Sequence, residues 1–167
     1  GAFWTLAGAA VVPPQWRVLA YGAALAFGSN TLVSEAEREM TMRARAIALG
    51  AGKPVLFDPN LRPALWPSRE AMRDTLNSLA EGCHLVLPGV AEGELLAGSA
   101  DPVAIAAFYR ARGARLVVVK LGPDGAYFDG ESGRGRVPAF PVERVVDTVG
   151  AGDGFAVGVI SALLGGR

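Results

Sequence analysis

Apolar and polar positions fall into short blocks whose period switches between strand-like and helix-like along the chain. Leu19 to Phe27 is an apolar run of mostly small residues, which predicts a buried strand, and Gly28-Ser29-Asn30 predicts the loop after it. Ser34 followed by Glu37 is a capping-box pattern. Ala36, Met40, Ala44 and Ile47 then recur at helical spacing and are expected to form the inward face, with Gly50 and Gly52 ending that helix. Val55-Leu56-Phe57 predicts a short buried strand, broken by Asp58-Pro59-Asn60. A second helix is predicted from Ser68 to Leu79, with Met72, Leu76 and Leu79 inward. His84 to Leu87 predicts the next strand, and Glu92 to Leu96 one or two helical turns. Asp101-Pro102 is an N-cap with proline at the first helical position; Ile105 and Phe108 belong to that helix's apolar face and Gly113 stops it. Leu116 to Val119 predicts a strand ending at Lys120. Gly122-Pro123-Asp124-Gly125 predicts a turn, and Ala126 to Phe128 with Arg136 to Pro138 a hairpin around residues 129–134. Val145-Val146 leads into Asp147-Thr148-Val149-Gly150-Ala151-Gly152-Asp153. Phe155 to Leu164 is apolar all round, which predicts a fully buried helix.

This order of strands and helices predicts an α/β fold in one domain spanning 1–167, with right-handed crossovers, a mostly parallel sheet and helices on both faces. In such sheets a ligand sits at the carboxyl ends of the strands. Residues with chemical potential do cluster there: Asp58 to Asn60, Pro88-Gly89, Lys120 to Gly122 and Gly150 to Asp153.

Composition narrows the functional classes. The 167 residues carry 16 Lys+Arg against 16 Asp+Glu, a balance that argues against a nucleic-acid partner recognised by excess positive charge. Hydrophobic residues make up 51% of the chain, enough for a sizeable core. Arginine supplies fourteen of the basic residues, so Lys53 and Lys120 stand out as the two lysines. One cysteine, Cys83, excludes a disulfide within the chain and fits a reducing, cytoplasmic setting. His84 is the single histidine; next to Cys83 on a strand it faces the opposite way, so the two are read as strand residues rather than a reactive pair. The apolar stretch from Val18 to Ser34 is interrupted and short for a membrane span, which leaves no membrane partner expected.

Gly150-Ala151-Gly152-Asp153 precedes the apolar helix. Small residues there let backbone N–H groups point one way, and a helix N-terminus adds partial positive charge, together an anion hole suited to phosphate. An Asp in that place repels phosphate unless it faces an incoming hydroxyl and takes its proton during phosphoryl transfer. Spacing alone leaves open an ordinary N-cap after a tight turn. No P-loop pattern occurs, and G-x-G-x-x-F departs from the dinucleotide fingerprint.

The whole segment from Asp147 to Gly158 resembles the C-terminal signature of the ribokinase-like, or PfkB, carbohydrate kinases, with D-T-x-G-A-G-D complete. The resemblance implies a three-layer α/β/α ribokinase-like sheet and ATP-dependent phosphorylation of a sugar's primary hydroxyl. It implies Asp153 as catalytic base, Gly150, Ala151 and Gly152 as anion hole, and Asp147 near a bound monovalent cation. Lys120-Leu121-Gly122-Pro123-Asp124-Gly125 is similar to the family's nucleotide-contacting strand and turn, which gives Lys120, Gly122 and Gly125 that role; read alone it is a plain β-turn. Asp58-Pro59-Asn60-Leu61-Arg62 to Trp66 resembles the D-x-N-x-R-x-x-L-W stretch of 2-keto-3-deoxygluconate kinases and bacterial fructokinases. It implies Asn60 near the nucleotide's transferring phosphate and Arg62 as a fork for phosphate or a sugar-acid carboxylate. Leu87 to Gly98 aligns with the family's N-x-x-E region. Glu92 stands at the Glu, implied to organise hydrated Mg2+, while Gly89 replaces the common Asn; helix N-terminal charge complementarity is the other reading of Glu92. The resemblance further implies that the first βαβ units, the β-lid with most sugar contacts and the last helices lie outside this chain. Missing sheet partners predict poor folding alone or pairing, including a homo-oligomer. Two functions follow: a sugar or keto-sugar-acid kinase core, or a truncated non-catalytic remnant that binds nucleotide or a partner.

Overall fold

The computed structural model describes residues 24–32, 34–141, 143 and 147–165. Six strands form one sheet in simple sequential order: β1 (Leu25–Phe27), β2 (Val55–Phe57), β3 (Leu85–Val86), β4 (Leu116–Lys120), β5 (Ala126–Gly130) and β6 (Gly133–Val137). β1 to β4 are parallel, and β5 and β6 are antiparallel. Between them run α1 (Glu35–Gly50), α2 (Arg69–Ala80), α3 (Val90–Ala97) and α4 (Pro102–Arg110), and α5 (Ala151–Leu164) follows the hairpin.

Local chemistry sets most boundaries. Ser34 Oγ accepts from the Glu37 N–H at 3.3 Å while the Glu37 carboxylate accepts from the Ser34 N–H at 3.4 Å, closing the capping box of α1. Ser68 and Asp101 cap α2 and α4 through side-chain oxygens. Gly130 pairs with Gly133, so the hairpin turns over two residues, tighter than the loop expected from the sequence.

The period-2 alternation of the strands divides the core. Val55, Phe57, Val86, Val117, Val119 and Tyr127 face a cluster with α1 to α4, and Leu56, Leu85, Leu87, Val118 and Ala126 face the other side, toward α5. Sequential strand order explains the unequal layers: each right-handed crossover advances the same way, so α1 to α4 share one face. α5 alone among the described helices covers the other.

That arrangement corrects the expectation for the last helix. Phe155, Ala156, Val159, Ile160 and Leu163 pack on the sheet, yet no residue of α5 is fully buried, and Val157 is 63% exposed. The apolar face of α1 is also rotated from the expected one. Thr41, Ala44 and Ala48 are buried, whereas Met40 is 48% exposed. Thr41 can turn inward because its hydroxyl donates to the Thr31 carbonyl at 3.0 Å. The strand expected over Leu19 to Phe27 is described from Leu25 onward, where Ala26 is exposed rather than buried. Its earlier part and Val145-Val146 lie outside the described residues. Among the described residues no helix is long and apolar enough to cross a membrane.

Candidate active site

β2, β3 and β4 end side by side, and their ends carry Asp58, Gly89 and Lys120 to one edge of the sheet. The Asp58 N–H donates to the Phe27 carbonyl at 3.0 Å and the Ser29 N–H to Pro59 at 3.0 Å, which ties the loop after β1 to the loop after β2. Ser29 is buried, and its hydroxyl donates to the Asn60 carbonyl at 2.7 Å. Asn60 itself has φ +41°, the one positive-φ residue other than glycine among the described residues; asparagine tolerates that region through its short polar side chain. Its Oδ1 accepts from Arg62 Nη1 at 2.8 Å, and the same nitrogen donates to the Leu61 carbonyl at 3.0 Å, so the exposed guanidinium is braced beside the loop.

Lys120 Nζ lies 2.7 Å from Asp58 Oδ1 and 3.8 Å from Glu92 Oε2. Glu92 is committed to backbone amides: Oε1 accepts from Leu61 N at 3.0 Å and Oε2 from Gly89 N at 2.6 Å. Burial pushes the Asp58 carboxyl above its ordinary range, Lys120 opposes that shift, and the charges of Glu92 and Asp153 reinforce it.

Gly150 opens α5 in the left-handed region, φ +76°, which glycine adopts without cost. The Ala151 N–H donates back to Thr148 at 3.1 Å, and the Gly154 N–H makes the first helical bond, to Gly150. Among the described residues no backbone carbonyl takes the N–H of Gly152 or Asp153, as expected for a helix's first turn. Of the residues expected to form the anion hole, Ala151 uses its N–H within its own turn, while the N–H groups of Gly150 and Gly152, with that of Asp153, take no backbone carbonyl among the described residues. Asp147 Oδ1 accepts from Val149 N at 2.9 Å, within that same turn.

Two cavities flank α5. One, of about 360 Å³, lies between its first turns and the β1 and β2 loops, with Asp153, Asp58, Asn60, Asn30 and Thr31 around an apolar floor of Leu56, Leu87 and Ile160. The other, of about 510 Å³, is strongly apolar and lies between α5 and the β4–β6 sheet, lined by Gly122, Gly125, Phe128, Phe140 and Phe155. Asp153 and Asn60 thus share one cavity, and Gly122 and Gly125 border the other. Lys120, Glu92 and Arg62 stand around the first without lining it. Among the described residues no three His, Cys, Asp or Glu side chains converge on a metal position. Sequence reasoning overlooked Asn30, Thr31 and Asp58 as site residues; their position just after β1 and β2 was the signal that could have found them.

The profile of the pfkB family carbohydrate kinases matches residues 4–167. The chain belongs to this family. It is 53% identical over 116 residues to 2-dehydro-3-deoxygluconokinase of Bacillus subtilis (strain 168), a match that covers 70% of this chain and 36% of that enzyme. The crystal structure of a PfkB protein from Polaromonas sp. JS666 superposes with a TM-score of 0.84 at 48% identity, over 96% of this chain and 52% of that one. The fructokinase from Vibrio cholerae O395, solved with fructose, ADP and calcium ion bound, gives a TM-score of 0.77 at 28% identity, over 84% and 45%. The chain thus spans about a third to a half of the length of these relatives. The ribokinase-like α/β architecture is that of the family, and Cys83 and His84 are structural as expected: the buried thiol donates to Leu79 O and His84 Nδ1 accepts from Val55 N.

Proposed function

We propose that this chain carries the phosphoryl-transfer core of an ATP-dependent carbohydrate kinase whose acceptor is a primary hydroxyl of a sugar or keto-sugar acid. The observation that carries the reading is the placement of α5 between two cavities. An apolar cavity suits a nucleotide base, the α5 amides suit phosphate, and the Asp153 carboxylate faces the space left for an acceptor. In the proposed reaction the hydroxyl oxygen bonds to the terminal phosphorus of ATP. The bond from that phosphorus to its bridging oxygen breaks, ADP leaves, and Asp153 receives the hydroxyl proton. Arg62 steadies the transferring group or an acceptor carboxylate with its planar charged fork. We place 2-keto-3-deoxygluconate first among acceptors and fructose second, on the Asn60-Leu61-Arg62 and Pro88-Gly89 contexts and on the 53% identity to the B. subtilis enzyme.

Among the described residues no three metal-ligating side chains converge; Glu92 accepts backbone amides on both carboxylate oxygens and Asp147 on one. Mg2+, which typically binds phosphates with one or two carboxylates and water, fits this reading as a companion of the nucleotide, and no step here is routed through it. A monovalent cation near Asp147 stays part of the proposal on resemblance alone, and a cytoplasmic setting on the single cysteine.

A second reading is that the chain binds nucleotide or a partner and does not turn over. Calorimetric titration with ATP, run beside a coupled ADP-release assay with each acceptor, separates the two. The kinase reading expects both signals and a loss of about 10²–10⁴ in kcat for Asp153→Asn. Undiminished turnover in that variant would falsify the base assignment, and binding without turnover selects the second reading.

A further inference from the structure

The resemblance assigns Lys120 to the nucleotide, yet its ammonium is occupied elsewhere. Nζ reaches from the end of β4, past the end of β3, to Asp58 at the end of β2, two strands away, at 2.7 Å. Gly89 at the end of β3 bridges Lys120 in the sheet. A Cβ there would stand in ordinary contact, 3.4 Å, with Glu92 Oε2. That oxygen is the one nearer Lys120, and the other Glu92 oxygen holds the Leu61 N–H at 3.0 Å. Asp58 and Leu61 bracket Asn60, whose strained backbone aims its amide side chain at Arg62.

We infer that Lys120 is a positioning residue, a strut that acts through Asp58 and Glu92 to hold the Asn60–Arg62 arm beside Asp153. The arm's service to an acceptor rests on the kinase reading above; the strut itself does not. Two carboxylates and one ammonium meet at a partly buried edge, with a third carboxylate, Asp153, near enough to act on Asp58. Removing the ammonium leaves like charges facing each other beside the Leu61 N–H that Glu92 holds.

The test is amide hydrogen exchange by NMR on the whole chain as Lys120→Met, and as that variant combined with Asp58→Asn. Losing the charge-assisted contact is expected to speed exchange at Leu61 about tenfold or more, with Val118 in the middle of β4 unchanged. The double variant, which removes the stranded carboxylate, is expected to return Leu61 toward the parent rate. In protein that turns over, Lys120→Met is expected to raise KM for the acceptor by a larger factor than it lowers kcat. Unchanged Leu61 exchange overturns the proposal, and so does nucleotide affinity falling while Leu61 is unaffected. Parallel acceleration at Leu61 and Val118, with no recovery in the double variant, reduces Lys120 to general stability and also overturns it. Absence of turnover in the parent chain counts against the kinase reading and leaves the exchange result to judge the strut.

Discussion

Cys83 shows how a single side chain reports its surroundings. It is buried behind α2, and burial pushes its thiol from the ordinary 9.0 up to about 11, with Arg45 pulling modestly the other way. A raised pKa means that folding favours the protonated thiol. Its contribution to stability is complete below pH 9.0 and is lost as the pH rises through about 11. Urea unfolding of the parent and of Cys83→Ala, compared from pH 8 to 11, should give a difference in midpoint that narrows across that window; a constant difference contradicts the assignment. Asp58 carries a shift in the same direction for a different purpose, because its burial is part of the ion group that organises the site edge. Its position after a strand marked it in the sequence as a candidate, but nothing there showed it to be the partner of an ammonium. The distinction arises because Lys120, 62 residues away in the chain, comes within 2.7 Å.

At the scale of elements, caps and turns were the most legible features, since they depend on neighbours within a few residues. The capping box at Ser34, the Asp101-Pro102 start and the Lys120 strand end all stand where local chemistry puts them. Gly125 is the sharpest case. It sits at φ +91° in the β4–β5 turn, and a Cβ there would meet the Val137 carbonyl oxygen at 2.0 Å, so the chain leaving β6 can pass that turn only at a glycine. Gly125→Ala is expected to destabilise the chain by roughly 1–3 kcal/mol from backbone strain alone. It should also lower amide protection in β5 and β6 before β2 and β3, as followed by hydrogen exchange. Uniform loss across the sheet would show that the turn has no local role. Helix faces were less legible. Pattern reading of α1 chose Met40 over Thr41 because it scores polarity and cannot see that the Thr31 carbonyl waits for the hydroxyl.

At the scale of the molecule, α5 joins the sheet core to the candidate site: one flank packs against Leu56, Leu85 and Val118 while its first turn presents Asp153. A ligand seated at that junction binds the folded state only, so nucleotide at 100 times its Kd should stabilise the chain by about 2.7 kcal/mol. Asp153→Asn should keep that gain while losing turnover. Thermal unfolding with and without ATP measures it, and no shift in the parent at saturating nucleotide contradicts a nucleotide site. The family, the alternation of strands and helices along the chain and the presence of a carboxylate at a glycine-lined helix start were determined by the sequence alone, because they rest on short-range pattern and on a contiguous signature. Only the tertiary structure decided that α5 is half covered, that Thr41 faces inward and that Lys120 is spent on Asp58. Each of those depends on which distant segment supplies the neighbour: a carbonyl for a hydroxyl, a carboxylate for an ammonium, or a helix layer that sequential crossovers place on the opposite face.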